Sequence, residues 1–173
     1  FAGDPAVMGW QIDNEPSMYG VRCHCEHCKA QFRDWLASRF GTISALNERL
    51  GMVFNASEYR SFDDIPLPRL VQDLHNPGLL MESIRFFSES YAQFVAAQAE
   101  ALRAAGAKQP ITTNVCHMLS SNCRVQETRL FQGLDVVSWD CYPQQFAADP
   151  APEALGLLHA IARGLKEKPF WLG

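Results

Sequence analysis

Short apolar runs alternate along this chain with stretches of helical periodicity, and that alternation limits the folds open to it. The run from Val7 to Ile12 carries Val, Trp and Ile with little helical spacing and ends at Asp13-Asn14-Glu15. Further runs are ITTNV at 111–115, LDVVSWDCY at 134–142 and PFWLG at 169–173. Between them, Phe32, Trp35, Leu36 and Phe40 recur at three and four, which predicts a helix from Cys25 to Phe40 that Gly41 ends. A second, short helix begins at a Thr42 or Ser44 cap and reaches Gly51. Residues 52–75 read as an irregular connection. Asn76-Pro77 looks like a cap followed by proline in the first turn, opening a long helix to about Ala105 that Gly106 closes. A last helix is expected from about Pro152 to Lys166. Strands alternating with helices predict an α/β fold, a parallel sheet covered by helices.

Three strand candidates finish in polar residues: Asp13-Asn14-Glu15, Thr112-Thr113-Asn114 and Ser138-Trp139-Asp140-Cys141-Tyr142. In parallel α/β barrels the reacting groups sit at the carboxyl ends of the strands, where the following loops share one cleft. Such residues also cap helices and start turns, but three endings together point to a shared site. An amide followed by an acid suits glycoside cleavage, in which a carboxylic acid protonates the leaving oxygen and a second carboxylate completes the pair. On the residues alone, Asp140 is a candidate for that second carboxylate.

A second chemistry lies close by in the sequence. Cys23-x-Cys25-x-x-Cys28, with His24 and His27 interleaved, has a spacing more natural to metal thiolates than to a disulfide scaffold, with reduced loop thiols as the alternative. The other cysteines are dispersed, and this usage favours a reducing cytoplasm. The 173 residues, 47% hydrophobic and 20% charged, suffice for one sizeable core. A net charge of -4 without basic clusters argues against nucleic acid as a partner. No apolar run approaches the roughly 20 residues of a membrane-spanning helix, so no membrane partner is expected.

GWQIDNE, the C-x-C-x-x-C, AQFRDWLASRFGTISALNERLG, YRSFDDIPLPR, NPGLLMESIRFFSESYAQFV and PITTNV together resemble the middle of glycoside hydrolase family 42, the microbial β-galactosidases. The resemblance runs nearly end to end. It implies that residues 1–173 are part of one (β/α)8 TIM barrel catalytic domain, covering roughly strands four to seven, with a cysteine-bearing loop after the first strand of the window. It also implies hydrolysis of terminal β-D-galactosides with retention, acting on a β-galactoside or galacto-oligosaccharide. Glu15 would be the general acid/base, Asn14 the contact to the sugar 2-hydroxyl and Tyr142 the hydrogen-bond partner of the nucleophile. The nucleophilic glutamate would follow Gly173 directly or nearly so, which demotes Asp140 to a structural or subsite role and leaves the isolated segment inactive.

By the same resemblance, Cys23, Cys25 and Cys28 would be three ligands of a structural zinc whose fourth ligand lies upstream of Phe1; because tetrahedral zinc takes four ligands, this segment would otherwise recruit His24, His27, a water or a thiol from another chain. No organic cofactor is implied, and the full-length protein would be a homotrimer. Two other readings of the sequence stand beside this one: a zinc-stapled interaction module without catalysis, and a degenerate family member that binds sugar without cleaving it. Among the aromatic residues, Phe32, Trp35, Phe40, Phe86, Phe87, Tyr91, Phe94 and Trp10 are expected in the core. Trp139 and Trp171 are candidates for sugar contact, Asn114 for a subsite, and His117 for the border of the cleft.

Overall fold

The computed structural model describes residues 1–17, 22–53, 57–69, 76–116, 125–142 and 152–173. Its elements run β1 (Trp10–Gln11), α1 (Glu26–Phe40), α2 (Ile43–Arg49), a 3-10 turn (Phe62–Asp64), α3 (Pro77–Ala104), β2 (Ile111–Thr112), β3 (Asn114–Val115), α4 (Glu127–Leu130), β4 (Ser138–Trp139), α5 (Pro152–Gly164) and β5 (Trp171–Leu172). Every strand pairing is parallel: β1 with β2, β3 with β4, and β4 with β5. Helices intervene between β1 and β2, between β3 and β4 and between β4 and β5, as expected from the alternation in the sequence, whereas only Thr113 separates β2 from β3.

The chain divides into two compact units, residues 1–21 with 88–173 and residues 22–87, and α3 belongs to both. In the first unit the ladders are short. Main-chain bonds extend them: Trp10 N–H to the Pro110 carbonyl at 2.8 Å, Ile12 N–H to that of Thr112 at 2.8 Å, Asp140 N–H to that of Val115 at 2.9 Å, and Gly173 N–H to that of Trp139 at 3.1 Å. The nine-residue strand expected at 134–142 thus pairs as a strand only at Ser138–Trp139, and ITTNV is interrupted at Thr113. Behind these strands Val95, Ile111, Val115, Leu130, Phe131, Val137 and Trp139 form the core.

In the second unit, local signals decide the helix ends. Gly41 at φ 76° donates its N–H to Ala37 and stops α1, because a left-handed residue there costs glycine little. Thr42 Oγ1 accepts the Ala45 N–H at 3.2 Å, which selects Thr42 over Ser44 as the cap of α2. Asn76 Oδ1 accepts the Leu79 N–H at 3.0 Å, and its Nδ2 donates to the Leu50 carbonyl at 2.9 Å, tying the start of α3 to the end of α2. Phe32 and Leu36, one turn apart on α1, are fully buried, and Phe32 meets Phe86 of α3 at a ring distance of 5.4 Å. Phe94 departs from the expected core, because its side chain is more than half exposed.

Candidate active site

The turn that follows β1 carries three non-glycine residues with left-handed backbone: Asp13 at φ 52°, Glu15 at 48° and Ser17 at 71°. Such conformations cost on the order of 1–3 kcal/mol each and persist only where the surroundings hold them. The surroundings do so at Glu15. Its N–H donates to Asn114 Oδ1 at 3.0 Å, and Asn114 Nδ2 in turn donates to Asp140 Oδ2 at 2.8 Å. Asn14 Nδ2 lies 3.4 Å from Glu15 Oε2, a weak contact, and the Asn14 N–H donates to Asp13 Oδ1 at 2.9 Å. The ends of β1, β3 and β4 therefore converge, and their polar endings meet as the sequence suggested.

Glu15 is partly buried while Asn114 and Asp140 are buried. Burial above all, then a side-chain hydrogen bond with Asp140 and, less, the charge of Asp140 hold the Glu15 carboxyl above its ordinary value, and a hydrogen bond from the Cys116 thiol works against them. An upward shift is the direction general acid catalysis calls for, because the carboxyl then holds its proton to higher pH than an ordinary glutamate.

Period-two alternation along the strands explains who faces the site. Asn114 and Cys116 share one face, and Ser138 and Asp140 share another, so Trp139 must turn the opposite way. Trp139 is completely buried and meets the His159 ring of α5 at 5.5 Å, so of the two tryptophans considered as candidates for sugar contact this one belongs to the core. Trp171 at the end of the chain is 37% exposed. Tyr142, two residues beyond Asp140, is 42% exposed. Asn114 is spent on Glu15 and Asp140, so its amide is committed within the protein. Cys116 was missed by the sequence reading, although its i+2 spacing from Asn114 placed it on the same face. His117 lies outside the described residues.

In the other unit, the Sγ atoms of Cys23, Cys25 and Cys28 all lie within 4.8 Å of one another. A tetrahedral zinc with Zn–S bonds of about 2.3 Å needs sulfurs about 3.8 Å apart, so the three thiols fit three corners with little movement. Cys25 caps α1, its sulfur accepting the Cys28 N–H at 3.5 Å. That bond, together with the thiols of Cys23 and Cys28, draws the Cys25 thiol down to about 7. Burial and the two neighbouring sulfurs push Cys28 up to about 12, the crowding that a cation would relieve. His24 and His27 stand outside the cluster. Cys28 is on the first turn of α1 rather than in a loop, while residues 18–21, which precede the cluster, lie outside the described residues.

A family model described as "Beta-galactosidase", that of glycoside hydrolase family 42, matches residues 1–173. This chain belongs to glycoside hydrolase family 42. The β-galactosidase BgaA of Thermus sp. is 35% identical over 187 residues, a match covering 99% of this chain and 28% of that protein. Among solved structures, the cold-adapted β-galactosidase of Rahnella sp. R3 superposes with a TM-score of 0.87 at 33% identity, covering 99% of this chain and 25% of that one. The β-galactosidase of the Antarctic haloarchaeon Halorubrum lacusprofundi gives 0.85 at 32% identity, covering 99% and 27%. The chain thus spans about a quarter of the length of the family 42 proteins it matches. Its parallel strands and intervening helices are those of the corresponding part of the family's (β/α)8 barrel.

Proposed function

We propose that residues 1–173 are part of the catalytic barrel of a retaining β-galactosidase in which Glu15 is the general acid/base. The observation that carries this reading is Glu15 itself: a partly buried acid at a strand end, its main chain clamped by Asn114 and its carboxyl pKa raised by burial and by Asp140. In the first step, a glutamate beyond Gly173 attacks the anomeric carbon while Glu15 gives its proton to the departing glycosidic oxygen. In the second step, the Glu15 carboxylate takes a proton from water. The water oxygen then displaces the glutamate from the anomeric carbon, and configuration is retained over the two inversions. Asn14 holds the sugar 2-hydroxyl and Tyr142 steadies the nucleophile.

The substrates are terminal β-D-galactosides or galacto-oligosaccharides, and the full-length protein works as a cytoplasmic homotrimer. Alone, the segment is inactive because it lacks the nucleophile. Cys23, Cys25 and Cys28 hold a structural zinc with a fourth ligand from elsewhere; the metal cross-links the start of α1 and supplies no step of the reaction.

The test is nitrophenyl β-galactoside hydrolysis by the full-length protein. Glu15→Gln is expected to lower kcat by on the order of 10²–10⁴-fold. Wild-type rates in that variant would refute the assignment.

A further inference from the structure

An amide side chain can present either end to a neighbour, and at Asn114 something must choose. The residue is almost fully buried and makes two bonds of opposite polarity: Nδ2 donates to Asp140 Oδ2 at 2.8 Å, and Oδ1 accepts the Glu15 N–H at 3.0 Å. A carboxylate accepts and cannot donate, so Asp140 dictates that Nδ2 faces it and that Oδ1 faces Glu15. Rotated by half a turn, the amide would set oxygen against carboxylate and N–H against N–H. The clamp on Glu15 therefore depends on a residue 26 positions away from Asn114 in the sequence.

Glu15 needs such a clamp because its left-handed backbone lies between Asp13 and Ser17, which share that conformation. Asp140 also reaches Glu15 directly, by a side-chain hydrogen bond and by its charge. Of the titratable side chains that face Glu15 among the described residues, Asp140 comes from the end of β4 and Cys116 from the end of β3, and they act in opposite directions.

We propose that Asp140 is a positioning residue for Glu15: it orients the Asn114 amide that clamps the Glu15 main chain, and it presents a negative charge to the Glu15 side chain. The inference rests on Glu15 being the acid/base. It separates two tasks that share one carboxylate. Orientation of Asn114 needs only an acceptor. The hold of Glu15 on its proton, set first by burial, is strengthened by the Asp140 hydrogen bond and charge, which also makes the carboxylate more basic afterwards.

The experiment uses the full-length enzyme, with kcat/KM followed against pH on p-nitrophenyl galactoside and on dinitrophenyl galactoside, whose leaving group needs no proton. Asp140→Asn can keep an acceptor oxygen toward Asn114 while removing the charge. Its alkaline limb should move to lower pH, and kcat/KM for the nitrophenyl substrate near neutral pH should fall about tenfold, with a smaller loss on the dinitrophenyl substrate. Asn114→Asp adds a negative charge beside Glu15 and should move the limb the other way, so the proposal stays testable if one variant does not fold. Unmoved limbs in the folded variants overturn it. Glu15→Ala with azide as an external nucleophile tests the underlying reading separately. Rescue to a galactosyl azide upholds Glu15 as acid/base whatever Asp140 does, whereas no rescue, with equal losses on both substrates, overturns both.

Discussion

The Asp140 carboxylate fills the space beside Gly173: a Cβ built on that glycine would lie 2.4 Å from Asp140 Oδ1. Gly173 cannot simply retreat, because its N–H is bonded to the Trp139 carbonyl at 3.1 Å. Nor is Asp140 free to swing, being buried and engaged by Asn114. Gly173→Ala must therefore shift the carboxylate on which the Glu15 clamp depends. In the full-length protein it should lower kcat/KM by about tenfold and cost about 1–3 kcal/mol of stability. Kinetics and a denaturant titration of the variant check this; unchanged kcat/KM would show that Asp140 has room to move.

Because the fold raises the Glu15 pKa, Glu15 contributes to stability in its protonated form. That contribution is complete below the carboxyl's unfolded-state value and is lost as pH rises through the folded-state value. Glu15→Gln cannot ionise, so it escapes the loss. The variant should melt close to wild type at pH 4 and above it at pH 7, while being the least active. Thermal melts at the two pH values test the sign. A variant that is less stable at pH 7 than at pH 4, relative to wild type, would contradict the environment assigned to Glu15.

Helix boundaries were legible because their causes are local. Gly41, Thr42 and Asn76-Pro77 act on residues within four positions, and each does what its chemistry suggests. The strand endings were legible as a set, since Glu15, Asn114 and Asp140 do meet. Strand lengths were not. Apolar composition along 134–142 reports burial, whereas pairing depends on where neighbouring chains run, and only Ser138–Trp139 find strand partners. The use of Asn114 was equally hidden, because an amide at a strand end suits a sugar or a neighbouring side chain and the choice was made by distant Asp140. Trp139 could have been read correctly: if Asp140 faces the site, period two turns its neighbour into the core.

The cysteine cluster leads to a metal-removal prediction. Three sulfurs within 4.8 Å leave thiols that crowd one another unless a cation joins them. Full-length protein should contain about one zinc per chain, and chelation should lower Tm by several degrees while kcat at permissive temperature changes less than twofold. Cys28→Ser should reproduce the loss of both zinc and Tm. Metal analysis with differential scanning calorimetry makes the comparison. A chelated enzyme with unchanged Tm would remove the structural role, and one with abolished kcat at full stability would place the metal in the reaction.

Glu82 on α3 provides a test of how a buried charge is secured. Its carboxylate is almost wholly buried, with Oε2 paired to Arg39 Nε of α1 at 2.8 Å and Oε1 paired to Arg85 one turn along α3. Each arginine is well exposed, so losing one costs little while the other still neutralises the acid. Arg39→Ala and Arg85→Ala should each cost about 1 kcal/mol. The double variant strands a buried carboxylate and should cost about 3–5 kcal/mol, more than the sum. Urea titrations of the four proteins in the cycle give the coupling directly. Additive losses would mean that solvent reaches Glu82 once its partners are gone, and that the second unit gains its stability from the Phe32, Leu36 and Phe86 packing instead.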